Sequence, residues 1–130
     1  KLMYRGLWKY RDSGWENRPI YYALSVISAN TVPGSEIYKG TSSDASCAST
    51  AFKAPDGTRT YIAVNESDRN RVIRLENSQL TSGAKIYIYS EYTLRLVKDD
   101  MLPLYAVTQA QNASVTVVLP ANSFAVVVCD

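Results

Sequence analysis

Histidine is absent from this chain of 130 residues. Its absence excludes Ser-His-Asp and Cys-His nucleophilic chemistry and removes the commonest transition-metal ligand. Conventional hydrolytic chemistry is therefore narrowed to carboxylates. Phenylalanine is also scarce, with two residues, whereas the chain holds ten tyrosines and two tryptophans. Such rings combine a flat apolar face with a polar edge, which suits them both to packing and to binding.

Long apolar runs and blocks of one charge are missing as well. The longest uninterrupted apolar run, residues 124–129, is far shorter than the ~20 residues that a membrane-spanning helix needs. Fourteen basic and twelve acidic residues leave a net charge of +2. This balance does not suit binding to a phosphate backbone. We therefore predict one folded domain with neither a membrane nor a nucleic acid as partner.

Cysteine occurs twice, at Cys47 and Cys129. We predict that the two form a disulfide, because a bridge closing so long a loop is worth about 4–5 kcal/mol in the loop-closure estimate. The alternative is a pair of buried thiols that fill space in the core. No signal segment begins the chain and Lys1 stands first, so we expect a processed or excised piece of something longer.

From residue 34 onward, short apolar runs alternate with turn residues, as is typical of an all-β sandwich or barrel. No helical pattern separates the runs, which indicates antiparallel strands in two layers. We predict an antiparallel Greek-key or jelly-roll-like β-sandwich of seven or eight strands over residues 34–130. Period-two alternation predicts strands at residues 35–39, 47–54, 59–65, 70–75, 85–90, 93–97, 114–119 and 124–129.

The first 33 residues are rich in aromatic side chains and contain both tryptophans. We predict that this segment packs on the sandwich within a single domain. Within residues 19–31, Ile20, Leu24 and Ile27 have helical spacing, and Pro19 suits a first helical turn. The β-branched and tyrosine content of the same residues favours a strand. Pattern alone leaves the two structures open.

Four phrases occur in a recognisable order: RPIYYALSVISANTVPGSEIY, AFKAPDGTRTYIAVNESD, KIYIYS and VTVVLPANSFAVVV. Together they resemble the last barrel helix and the C-terminal β-sandwich of bacterial glycoside hydrolases with (β/α)₈ catalytic domains, such as families 5 and 30. The resemblance implies a helix at residues 18–30. It also implies a secreted bacterial protein in which this accessory domain is covalently attached to a catalytic domain.

The carboxylates do not supply the chemistry of such an enzyme. Glycosidic cleavage needs two carboxyl groups about 5–9.5 Å apart. The glutamates are scattered without paired spacing, at Glu16, Glu36, Glu66, Glu76 and Glu91. We therefore predict no catalytic residue, no enzymatic activity and no cofactor. A calcium site built from Asp44, Asp99 or Asp100 is a minor alternative, because calcium takes oxygen ligands from loops.

The aromatic residues are more informative, because the C–H faces of sugar rings pack on flat aromatic surfaces. One candidate binding cluster combines Trp8, Tyr10 and Trp15 with Arg18, in a segment that reads as a loop. The alternative is that these rings seal one end of the sandwich. A second candidate is Tyr87 and Tyr89, which alternation places on one face of a strand about 6.5–7 Å apart. They equally suit ordinary cross-strand packing.

We predict a noncatalytic carbohydrate-binding module that holds β-glucan or xylan chains by aromatic stacking and hydrogen bonds. The alternative is a structural accessory domain that stabilises a barrel and binds no ligand. The two hypotheses differ in which side chains reach solvent. A binding module exposes Trp8 or Trp15, whereas a structural domain exposes an apolar face that lacks its partner.

Overall fold

A computed structural model describes residues 6–12 and 14–129. Ten strands, one α-helix and one short 3₁₀ helix make up the regular structure of this part of the chain. Their bounds, in chain order, are β1 Trp8–Arg11, β2 Gly14–Asn17, α1 Pro19–Asn30, β3 Glu36–Lys39, β4 Cys47–Lys53, β5 Arg59–Asn65, β6 Arg71–Glu76, β7 Gly83–Tyr89, the 3₁₀ helix Thr93–Leu96, β8 Ala106–Gln109, β9 Ser114–Leu119 and β10 Ser123–Cys129.

All strand pairs are antiparallel, and they form three sheets. A six-stranded sheet has the order β3-β4-β5-β10-β7-β8, a two-stranded sheet pairs β6 with β9, and β1 and β2 form a separate hairpin. The predicted all-β antiparallel sandwich is therefore confirmed.

The main core lies between the six-stranded and the two-stranded sheets. The central strands β5, β7 and β10 contribute buried side chains from one side, and β6 and β9 contribute them from the other. On β10, Ala125 and Val127 face this core, while Val126 joins a second cluster on the opposite face of the sheet. Because β10 is covered on both faces, it reads as a continuous apolar run without alternation.

Helix α1 covers the outer face of the six-stranded sheet. Its Val26 packs in the second cluster with Ile62 and Val126. The helix begins at Pro19, whose fixed φ suits the first turn. It ends where the Asn30 and Thr31 side chains donate hydrogen bonds to the carbonyls four residues earlier, at 2.7 and 2.9 Å. The helix implied by the resemblance is thus confirmed, and the strand alternative is wrong.

The weak strand predicted at residues 93–97 is instead a 3₁₀ turn. The hydroxyl of Thr93 accepts a hydrogen bond from the Ser90 amide at 2.8 Å, and the hydroxyl of Ser90 accepts one from the Thr93 amide at 3.1 Å. These reciprocal side-chain bonds satisfy backbone groups locally, so the chain turns rather than joining a sheet. Strand β8 is missing from the sequence predictions because it has only four residues.

The predicted disulfide between Cys47 and Cys129 is wrong. Cys47 pairs with Asn65 at one end of β5, and Cys129 pairs with Arg59 at the other end. The length of β5 separates the two positions by about 20 Å, whereas a disulfide requires Cα atoms about 4.4–6.8 Å apart. Separately, among the described residues no helix has the length and apolar character needed to cross a bilayer.

Candidate functional site

The segment that carries both tryptophans is a β-hairpin, not the loop that the sequence suggests. Tyr10 pairs directly with Trp15, and Trp8 pairs with Asn17. Residues opposite each other in a pair share a face, as do residues two apart along a strand. The three aromatic rings therefore lie on one face of the hairpin. Their contact is direct at Tyr10 and Trp15, whose ring centroids are 5.5 Å apart in an edge-to-face arrangement.

The aromatic face of the hairpin is open to solvent. Trp15 is 73% exposed, Tyr10 is 58% exposed and Trp8 is 50% exposed. Trp8 is the most covered of the three because it packs against Tyr21 of α1, with ring centroids 6.0 Å apart. Such a cluster of exposed large rings is unusual for a surface with no partner.

The opposite face of the hairpin is charged. Glu16 accepts ion pairs from Lys9 at 3.4 Å and from Arg11 at 3.0 Å. Because these charges neutralise one another on one face, they leave the aromatic face free of strong charge. Exposed ion pairs of this kind contribute little to stability, so their main effect here is to separate a polar face from an apolar one.

Two hydrogen bonds connect the hairpin to the body of the domain. The Arg18 amide donates to the Leu7 carbonyl at 2.8 Å and closes the base of the hairpin. The Asn17 side chain donates to the Asp100 carboxylate at 3.0 Å, across the junction with residues 98–101. Arg18 itself is half-buried at the position where β2 ends and α1 begins. These contacts orient the aromatic face relative to α1.

The second candidate pair, Tyr87 and Tyr89, has different surroundings. Both rings are half-buried and pack against the cluster under α1. Tyr89 stacks on Phe124, with ring centroids 5.0 Å apart and planes 18° apart. Burial raises the pKa of Tyr89 above its ordinary value of 10.0. Sugar binding by this pair stays a prediction.

The aspartates considered for calcium already have protein partners. Hydrogen bonds from Ser46 lower the pKa of Asp44, and Arg71 lies 3.6 Å from its carboxylate. Asp100 accepts the hydrogen bond from Asn17. Within residues 6–12 and 14–129, no three Cys, Asp or Glu side chains come together as metal ligands. Calcium binding stays untested.

Comparison with known families gives a match over residues 38–127, to the glycosyl hydrolase family 30 beta sandwich domain. The chain belongs to this family. The resemblance drawn from the four sequence phrases is therefore confirmed. No curated protein matches the chain.

Solved structures of family 30 enzymes share the fold. The catalytic domain of xylanase C from Talaromyces cellulolyticus superposes with a TM-score of 0.76 at 21% identity, over 95% of this chain and 27% of that one. A family 30 subfamily 8 xylanase from Clostridium acetobutylicum gives 0.74 at 20% identity, over 98% and 31%. The endoxylanase from Clostridium papyrosolvens C71 gives 0.70 at 16% identity, over 88% and 28%.

This family 30 sandwich spans less than a third of the length of those three structures. The family match itself begins at residue 38, after the hairpin and α1. The superpositions covering 95% and 98% of the chain leave out too few residues to omit both elements. The hairpin and helix are therefore part of the shared fold, although the family description does not reach them.

A cleft of about 830 Å³ is a further feature of the domain. Residues 38–44 and 47–51 line one side of it and residues 71–77 line the other. Sequence reasoning missed this cleft, because it is formed by strands that are distant in the chain. The unusual backbone approach at Gly40 is its one local signal, since a Cβ atom there would lie 2.8 Å from the Ser49 carbonyl oxygen.

Proposed function

We propose that this accessory sandwich holds a polysaccharide chain on the aromatic face of its N-terminal hairpin. The observation that carries the proposal is the exposure of Trp8, Tyr10 and Trp15 together on one face of a two-stranded scaffold. The axial C–H groups of a pyranose ring pack on such faces by dispersion and by removing apolar area from water. Because the rings are already oriented by strand pairing, little conformational entropy is lost on binding.

Polar groups near the rings would supply the hydrogen bonds that fix sugar hydroxyls. The Asn17 amide lies directly opposite Trp8, and the Tyr10 hydroxyl lies at the edge of the aromatic face. Neutral donors and acceptors suit an uncharged sugar chain, because its hydroxyl groups act as both. The domain would thus combine flat apolar surface with a few oriented polar groups, as carbohydrate sites do.

The polymer we propose is a β-linked xylan or glucan. The three superposed structures above are named as xylanases, which makes xylan the first choice. In a secreted enzyme the domain would keep an attached catalytic domain close to its polymer. Each further binding step would then occur at a raised effective concentration, without any contribution of this chain to the chemistry.

A second candidate function is a purely structural role, and a different surface favours it. Ile20 and Leu24 lie one helical turn apart on α1 and are both nearly half exposed. Leu96, Met101 and Leu104 are exposed to a similar degree. Exposed apolar side chains on a helix that covers a sheet are typical of a surface that packs against another domain. The two functions use different residues and can be separated experimentally.

Affinity electrophoresis in gels containing soluble xylan or β-glucan tests the binding proposal. Trp15→Ala should weaken retardation of the chain by about 5–30-fold in dissociation constant, the equivalent of about 1–2 kcal/mol. Tyr92→Ala is the matched control, because Tyr92 is also an exposed ring but lies outside the hairpin. Equal retardation of the unchanged chain and the Trp15 variant in every polysaccharide would refute the proposal and favour the structural role.

A further inference from the structure

The sandwich is open along one side. The two-stranded sheet of β6 and β9 covers the inner faces of β5, β7 and β10, whose side chains fill the main core. Strands β3 and β4 belong to the same six-stranded sheet, but β4 contributes only the partly buried Ala51 to that core and β3 contributes nothing. The cleft of about 830 Å³ lies between these two strands and β6.

The backbone of β6 forms one wall of this cleft. Among the described residues β6 has a single strand neighbour, β9. The Asn77 amide donates to the Ala113 carbonyl at 3.0 Å, in continuation of the register that pairs Leu75 with Val115. Because hydrogen-bonded and non-bonded pairs alternate along an antiparallel ladder, the backbone groups of Val72, Arg74 and Glu76 face away from β9. They form an unpaired edge.

Two buried polar atoms beside this edge have no hydrogen-bond partner. The Tyr61 hydroxyl is one of them, on a residue that is only 6% exposed and lines the cleft. The Nε atom of Arg71 is the other, although its Nη2 atom lies near Asp44. Burial also raises the pKa of Tyr61. Buried polar groups are costly when unpaired, so both atoms indicate that oxygen acceptors are missing from the cleft.

The opposite wall has the shape of a surface that receives side chains. Cys47, Ser49 and Ala51 of β4 share the inner face of the sheet, because they pair with Asn65, Ala63 and Tyr61 of β5. These are small side chains, and sheets pack about 10 Å apart. Large side chains from a facing strand would fill the space above them, whereas the wall offers no exposed aromatic ring on which a sugar could stack.

We infer that the cleft receives an extended polypeptide segment that adds to the free edge of β6 as a third strand. Only another backbone has the spacing to satisfy every second residue of β6. Its carbonyl groups are acceptors of the kind that Tyr61 and Arg71 lack. We assign the segment to the remaining polypeptide of the enzyme, because the superposed xylanases are more than three times as long as this domain.

The inference does not depend on carbohydrate binding, because the cleft and the hairpin share no residue. Hydrogen exchange tests it, with the chain measured by itself and within the longer enzyme that carries it. Exchange of the amides of Val72, Arg74 and Glu76 should slow by at least about tenfold in the longer enzyme. The control is the free edge of β3, where Ile37 is exposed and lies outside the cleft, so its amide should exchange at the same rate in both proteins.

Three outcomes would overturn the inference. Equal exchange of the β6 edge in both proteins would show that no strand is added. Protection that appears in the isolated chain only as its concentration is raised would assign the edge to a second copy of the chain. Protection of the isolated chain by added xylohexaose would assign the cleft to a sugar.

Proline variants give a second measurement. Arg74→Pro removes an amide that faces the free edge, and proline is tolerated at such edge positions. In the longer enzyme it should lower the Tm by about 3–5 °C, through loss of the bond to the added strand. In the isolated chain the shift should be smaller. Ile37→Pro is the matched control, and equal Tm shifts for Arg74→Pro in both proteins would contradict strand addition.

Discussion

The aromatic residues of the hairpin and those of β7 illustrate how one residue type takes two roles in one domain. Trp15 and Tyr10 project from a two-stranded hairpin and are mostly exposed. Tyr87 and Tyr89 alternate on a strand inside a six-stranded sheet and are half-buried against the cluster under α1. The difference arises from coverage: β7 has a helix over its face, whereas no described element covers the aromatic face of the hairpin. Exposure, not aromatic content, therefore separates the candidate binding site from the core.

Replacing a ring of β7 is expected to have the largest effect on folding. Tyr89→Ala should lower the free energy of unfolding by about 2–4 kcal/mol, because it removes the ring that stacks on Phe124. Denaturant unfolding measures this loss. Binding per folded molecule should be unchanged in affinity gels. A loss of affinity without a loss of stability would reverse the comparison and move the sugar site to β7.

Alkaline pH should produce the next largest effect. Burial raises the pKa of Tyr89 and of Tyr61 above 10.0 in the folded state. The stability that these neutral rings contribute is fully present below the unfolded pKa of about 10, and it is lost as the pH rises through the folded pKa. The Tm should therefore fall above pH ~10. Tyr89→Phe should make that decline shallower, whereas Tyr92→Phe, at an exposed ring, should leave it as it is.

The orientation of the hairpin gives a smaller effect. Asn17→Ala removes the hydrogen bond to Asp100, which is exposed, so the free energy of unfolding should fall by less than about 1 kcal/mol. Affinity for xylan should fall by about 2–4-fold, because the aromatic face is held less firmly. Asp100→Asn should retain part of this affinity, since an amide oxygen still accepts the bond. Identical affinity for all three proteins would show that the contact does not orient the site.

Removing an exposed ring should affect folding least of all. Trp15→Ala is expected to change the free energy of unfolding by less than about 0.5 kcal/mol, because most of the side chain is already in contact with water. Thermal unfolding of this variant measures the change. A loss of 3 kcal/mol or more, on the scale of a buried tryptophan, would identify Trp15 as a core residue and end the distinction between the two regions.

Much of the β-structure follows from the sequence alone. Side chains alternate between faces with a period of two, so alternating runs indicate strands and their inner positions without knowledge of their partners. The strands predicted at residues 59–65 and 114–119 match β5 and β9. The resemblance also identified the family and resolved the helix at α1, where pattern alone left a strand open. Exposed aromatic residues at the hairpin could be nominated from composition, although their exposure could not.

The tertiary structure decided what covers each face and what meets across the sheets. Cys47 and Cys129 are compatible with a disulfide in sequence, but strand register places them at opposite ends of β5. The cleft and its unpaired Tyr61 hydroxyl likewise depend on how far β6 and β9 extend beneath the larger sheet. These features rest on contacts between residues far apart in the chain. Local periodicity carries no information about such contacts, because it specifies the face of a residue but not the residue that it meets.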